Sequence, residues 1–277
     1  MPAQPPEGPS PATPEKYFEG GAALYDQSRP TYPKALISRI AEAIPGRDVL
    51  DVGCGSGIEA RQFQAAGCTV LGVDPDAHLA GYAATTGVPT EVATFESWDA
   101  AGRQFDAVVA GTAWHWVDPV AGAVKAAEVL RPGGLLAPFH HASLTPPELA
   151  DPAGMALPGW TTRSAAAYQR SAPDSPFDRD GQRISPVGLY QPMFDMIAEG
   201  IRQAGSFSKP ELWRFTWEQA YSKAEWLSLL PTQGSLAKLP PDELARILAA
   251  VGAVIDRLGG SFTLPYATIA VTAIRTG

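Results

Sequence analysis

Apolar residues along this chain follow two alternating rhythms. Short runs rich in valine, leucine and alanine, four to seven residues long, occur at 49–52, 68–74, 90–93, 105–110 and 135–139. Between them lie stretches in which apolar residues recur every three or four positions, the spacing of one helix face. The spacing predicts helices over 34–44, 58–66, 76–85 and from Asp118 to about Leu130. In the first of these Leu36, Ile37, Ile40 and Ile44 share a side. Strands with little polar alternation are buried on both faces, and strands alternating with helices build a parallel sheet. The fold class expected is α/β.

Beyond residue 141 the rhythm stops. From 142 to about 186, proline, glycine, serine and charged residues alternate without period, and Trp160, Tyr168 and Phe177 are scattered among them. So long a stretch within a compact domain is expected to be a lid or to be disordered, and the aromatics favour a lid. Periodicity returns as a helix over 187–204, with Leu189, Met193, Phe194, Ile197 and Ile201 on one side. A strand follows at 212–217, then helices at 224–230 and 242–258, and a β-branched strand at 263–275. Pro265 points to an edge position near the start of that last strand. His78, inside the 76–85 helix, is expected to cap or pack and has no assigned chemistry. The division expected is a proline-rich disordered tail (1–14), a ligand-binding core with a helical cover (15–141), a lid or substrate cap (142–211) and the remainder of the core (212–277).

Composition narrows the partners. With 45% hydrophobic residues among 277, a sizeable core is available. The formal charge is −8 and there is no run of lysine or arginine, which disfavours nucleic acid and anionic membrane surfaces. Cys54 and Cys68, the two cysteines, both fall in expected buried elements, as in a reducing compartment. No apolar stretch approaches the length of a membrane span, and residues 1–14 lack the basic start and apolar core of a signal peptide. A cytoplasmic protein, monomer or homodimer, is expected.

The chemistry concentrates at Asp48-Val-Leu-Asp51-Val-Gly53-Cys-Gly55-Ser-Gly57. Glycine permits the sharp turn at 53 and exposes bare backbone to a ligand at 55. The helix that follows points free amides at the same place. A dinucleotide fingerprint needs its third glycine one position later, where Ile58 stands, and no Gly-Lys-Ser/Thr phosphate loop follows. One strand on, Leu71-Gly-Val-Asp74 ends in a carboxylate suited to two ribose hydroxyls, or to capping the next helix.

These two stretches resemble the S-adenosylmethionine (SAM) site of class I methyltransferases. Gln104-Phe-Asp-Ala-Val-Val-Ala-Gly-Thr-Ala-Trp-His-Trp-Val-Asp118 and Leu130-Arg-Pro-Gly-Gly-Leu-Leu136 strengthen the match, and resemble the small-molecule branch with a His-Trp pair after strand four. The resemblance implies a Rossmann-like, doubly wound, mostly parallel sheet of seven strands with an inserted lid or cap after strand five. It implies SAM as cofactor, held by Asp51, Gly53, Gly55, Gly57, Asp74 and Gly111. Tyr25 and Arg29, in Tyr25-Asp-Gln-Ser-Arg29-Pro-Thr-Tyr-Pro33, would lie near the cofactor's carboxylate, although Arg29 could instead make a surface ion pair. Phe95 and Glu96 would flank the adenine, or simply pack.

His115 is the candidate general base, with an ordinary pKa suited to proton transfer near neutrality. The alternative is that it orders its loop, with Trp116 buried beneath. Trp114, His140, His141, Trp160, Tyr168, Tyr190 and Phe194 are candidates for the acceptor pocket, with at most one of the two adjacent histidines facing it. Such aromatic enrichment predicts a flat or hydrophobic small molecule methylated on oxygen, carbon or nitrogen. No metal is expected. Two other readings stay open: a protein of this fold that binds the cofactor without transferring methyl, and a nicotinamide oxidoreductase.

Overall fold

The computed structural model describes residues 21–143, 188–232, 236 and 239–277. Five strands, β1 (Asp48–Val52), β2 (Thr69–Asp74), β3 (Thr90–Val92), β4 (Phe105–Gly111) and β5 (Leu130–Ser143), run parallel. Strand β7 (Ser261–Ile274) inserts antiparallel between β5 and β6 (Glu211–Ser222). The order is β3-β2-β1-β4-β5-β7-β6, seven strands in one sheet. The chain reverses direction across the sheet between β1 and β4. Doubly wound folds bind ligands at that crevice, beyond the carboxyl ends of the strands.

Alternation along each strand divides the core into two layers. Val49 and Val109 face one side, packed with Leu36, Ile37 and Ile40 of α2 (Lys34–Ala43) and Phe63 of α3 (Ile58–Ala65). Leu50, Val108 and Leu136 face the other, against Val129 of α5 (Pro119–Val129) and Phe194, Ile197 and Ile201 of the helix Gln191–Ala204. Each fully buried side chain of this size contributes roughly 1.5–3 kcal/mol. In order along the chain the helices are α1 (Ala22–Ser28), α2, α3, α4 (Ala77–Thr85), α5, α6 (Gln191–Ala204), α7 (Lys223–Leu229) and α8 (Pro241–Arg257). Of the 142–211 segment, α6 packs into the sheet's second layer; the stretch 144–187, with Trp160 and Tyr168, lies outside the described residues.

Two strands outrun their expected bounds, each for a non-local reason. Strand β5 starts at Leu130 instead of 135, because Leu130 pairs with Phe105 before an irregularity in the ladder restores register at Ala107 and Leu135. Strand β6 runs to Ser222 because every one of its residues has a partner on β7, from Glu211 with Thr272 to Ser222 with Ser261. Helix α4 is capped by Asp76, whose carboxylate accepts the His78 and Leu79 amides, and this leaves Asp74 free of that duty. Pro265 pairs with β6 alone among the described residues, since β5 first meets β7 at Tyr266. A residue without an amide proton is tolerated at such a one-sided position. No helix among the described residues is long and apolar enough to cross a membrane.

Candidate functional site

The turn after β1 shows why its glycines are needed. Gly53 sits at φ 67°, and a Cβ there would overlap Ala113. Gly55, at φ 52°, has open space where a Cβ would stand, so a ligand can lie directly on its backbone. Gly57 opens α3 as its N-cap. Asp74, at the end of β2, accepts the Gly55 amide through one oxygen and the Asp76 amide through the other, both at 2.8 Å. The turn and the neighbouring strand end are therefore one rigid unit.

Around it stand three buried carboxylates. Asp51 is fully buried, and neither of its oxygens has a hydrogen-bond partner. Glu59, in the first turn of α3, accepts the Gly111 amide at 3.1 Å. Burial raises all three above the usual carboxylate range: Asp74 to about 6, Glu59 to about 8, and Asp51 well upward, with Glu59 and Asp74 adding repulsion. The Arg61 guanidinium, whose field reaches Glu59, is engaged with Asp26. Burial and mutual repulsion hold protons on Glu59 and Asp51 in the empty fold, and a ligand carrying positive charge would favour their ionised forms.

Tyr25, on α1, feels both Glu59 and Asp74, and burial raises its pKa. The Arg29 guanidinium lies 4.7 Å from the Tyr25 ring centre and donates to the Thr232 carbonyl at 2.6 Å. Arg29 is thus turned inward and makes no surface ion pair among the described residues. Phe95 is buried in the second core layer, 6.0 Å from Trp114 between ring centres. The Glu96 carboxylate accepts the Asp118 amide at 3.0 Å.

At the end of β4, Thr112 adopts φ 55° and accepts a hydrogen bond from Tyr32 Oη at 3.0 Å. The chain then turns through Trp114-His115-Trp116 as a short 3-10 helix. Trp114 is the buried member of this pair of indoles, and Trp116 is half exposed, the reverse of the arrangement in which Trp116 anchors the loop. His115 stands at the rim, 4.8 Å from the Trp116 ring and 5.9 Å from that of His140. Burial lowers its pKa.

Alternation along β5 sends the adjacent histidines to opposite faces. His140 turns toward His115 and Tyr190, whose ring is 4.8 Å away, and borders a recess with Thr112, His115, Met193 and Phe194. His141 turns to the α2 face, where Tyr32 stacks on it at 4.2 Å. Burial pushes both imidazoles down to about 3, so both are neutral. Among the described residues no group of three or more His, Cys, Asp or Glu is placed to hold a metal ion. Glu59 joins the candidate site without having been expected from the sequence, and Tyr32 and Thr112, inside stretches the sequence singles out, join it without an assigned role. An acidic residue two positions past the last glycine was the one signal available for Glu59; the other two are brought in by the fold.

A family model described as a methyltransferase domain matches residues 25–163. An uncharacterized methyltransferase of Mycobacterium tuberculosis is 35% identical over 122 residues, which are 43% of this chain and 49% of that protein. The ubiquinone biosynthesis O-methyltransferase of a Methylobacterium strain is 37% identical over 101 residues, 34% of this chain and 41% of the relative. The chain thus spans about half the length of the curated relatives it matches. Among solved structures, a protein described as a type II methyltransferase from Anaeromyxobacter dehalogenans superposes with TM-score 0.59 at 23% identity, over 88% of this chain and 97% of that one. A Haemonchus contortus phosphoethanolamine N-methyltransferase 2, in complex with S-adenosyl-L-methionine, gives TM-score 0.53 at 14% identity, over 95% and 59%. At these identities the likeness is one of fold.

Proposed function

The chain belongs to the methyltransferase-domain family, and on that premise we propose that it transfers a methyl group from SAM to a small organic acceptor. The residues present fit this cofactor. Asp51, Glu59 and Asp74 are buried carboxyls that a ligand bearing a sulfonium and an ammonium would draw into their ionised forms, and the space over Gly55 admits it against the backbone. The observation that carries the reading is Asp51: two buried, unpartnered carboxylate oxygens beside an open glycine turn. Ionised without a partner, such a group is costly to the fold, and a cationic ligand offsets that cost.

When bound, SAM supplies a methyl group on positively charged sulfur, an electrophile that needs no further activation. The protein's task is then chiefly alignment. Gly53 and Asp74 fix the turn, Tyr25 covers the carboxylates from α1, and Asp74 is the group suited to ribose hydroxyls. On the acceptor side, the recess bordered by Met193, Phe194 and the His140 ring favours a flat or apolar molecule. Since Trp114 supplies the buried anchor of the 114–116 turn, His115 is free for chemistry. Its lowered pKa keeps it unprotonated at neutral pH, ready to take a proton from an acceptor that must lose one.

The test is transfer of label from methyl-labelled SAM into the small-molecule fraction of a cell extract. Label appearing in a discrete extractable compound supports the reading. Binding of SAM with no label leaving it in any fraction would instead make this a cofactor-binding protein without transfer. If transfer occurs, His115→Ala should lower turnover roughly 100-fold or more with SAM affinity little changed. Undiminished turnover in that variant would remove His115 from the chemistry.

A further inference from the structure

We propose that a second copy of this chain docks on the free edge of β6, antiparallel and centred on Thr216, so that two sheets join across a two-fold axis. Such a pairing is independent of methyl transfer.

Strand β6 is the last of the sheet, and among the described residues it pairs with β7 alone. It is twelve residues long and contains no proline, whereas the opposite edge, β3, has three residues. A long edge with unpaired amides and carbonyls is a template for another strand. Which groups it offers follows from the ladder. In an antiparallel pair, successive residues turn their backbone groups alternately toward and away from the neighbouring strand. The Lys223 amide bonds the Gly260 carbonyl at 3.0 Å, next in register after Ser222 and Ser261, so the odd-numbered residues of β6 face β7. Two further bonds agree: Glu225 accepts the Ser222 amide, and the Gln219 side chain donates to the Ala220 carbonyl. Both of these backbone groups belong to even-numbered residues. Ser222 is already committed to capping the helix that follows. The edge open to a partner therefore runs from Leu212 to Ala220, and Leu212, Arg214, Thr216, Glu218 and Ala220 turn their backbone groups outward.

The side chains of these five residues are exposed on one face of the sheet, while Trp213 and Tyr221 are buried on the other. Arg214 and Glu218 stand about 13 Å apart along the strand, too far to meet each other. Neither takes part in an ion pair among the described residues. A two-fold axis at Thr216 brings each charge its complement: Arg214 lies opposite the partner's Glu218, and Glu218 opposite the partner's Arg214. Leu212, half exposed, then lies opposite the partner's Ala220. On the other face Phe215 lies opposite the partner's Trp217. Opposite charges and aromatic pairs are favourable cross-strand neighbours.

Other registers lose this match. Centring on Arg214 or on Glu218 sets like charges directly opposite each other. Centring on Phe215 or on Trp217 leaves both charges without a complement. Centring between residues sets outward groups of one strand against inward groups of the other. A lone charge on an edge strand discourages pairing, but two opposite charges at symmetric positions select a second copy and a single register.

Sedimentation of the full chain at roughly 1 to 200 μM is the test, because an edge of this size suits a reversible dimer. Wild type is expected to pass from monomer to dimer across that range. Arg214→Glu and Glu218→Arg should each weaken association at least roughly tenfold, since each sets two like-charge pairs across the edge. An equimolar mixture of these two variants should associate again, because every such pair in the mixed dimer is then of opposite sign. Thr216→Pro removes an outward amide that β7 does not use, so it should leave the chain folded and monomeric. Wild type that stays monomeric throughout overturns the proposal and leaves the edge to the rest of the chain or to another partner. A dimer that survives Thr216→Pro, or single charge variants that do not recover on mixing, overturns it equally. If Thr216→Pro does not fold, the charge exchange alone decides.

Discussion

Asp74 performs two tasks with one carboxylate. Its oxygens tie the Gly55 and Asp76 amides, so the turn that receives the ligand is held by the residue best placed to grip it. Asp74→Ala is therefore expected to lower SAM affinity roughly 10- to 100-fold, as charged hydrogen bonds of this kind are worth about 1.5–3 kcal/mol. Gly53 is constrained differently, since Gly53→Ala brings a Cβ into Ala113 at a left-handed backbone position. Chemical denaturation should show a loss of about 1–3 kcal/mol in that variant, from overlap and backbone strain together. Gly53, Gly55, Gly57 and Asp74 were legible in the sequence because a local pattern carries them. Glu59 was not: its role depends on meeting the Gly111 amide, 52 positions away.

Among the elements, those whose signal is local were read closely. Strands β1, β2 and β4 kept their expected bounds to within a residue, because buried β-branched runs end abruptly at glycine or acid. Strands β5 and β6 outran theirs, since their length is set by pairing with β7, which no local rule displays. The two histidines on β5 follow from strand period alone, which forces neighbours to opposite faces and explains why only His140 approaches His115. Helix α6 depends on a different contact. A Cβ at Gly200 would run into the Pro119 carbonyl, so the two helices touch backbone to backbone at the start of α5. Gly200→Ala should cost roughly 1–3 kcal/mol in denaturant and, by lifting α6, loosen Met193 and Phe194 around the recess.

For the molecule as a whole, the buried carboxylates tie stability to pH. Glu59 keeps its proton in the folded state up to about pH 8 but loses it near 4.5 when unfolded, so its contribution falls as pH rises between those values. His140 and His141, held neutral down to about pH 3, act oppositely between 3 and 6.5. From pH 6.5 to 8 Glu59 acts without opposition from the histidines, and the unliganded protein should lose roughly 1–2 kcal/mol through it. Thermal melts across that window should show the decline in wild type and a flatter profile in Glu59→Gln, which keeps the acceptor for the Gly111 amide.

The same charge that weakens the empty fold is what a sulfonium ligand would neutralise. Calorimetric titration of SAM into wild type and Asp74→Ala at pH 8 tests this most directly. Saturable heat at one ligand per chain, with affinity at least tenfold weaker in the variant, is the predicted result. Wild-type protein that is folded yet gives no saturable heat would contradict it.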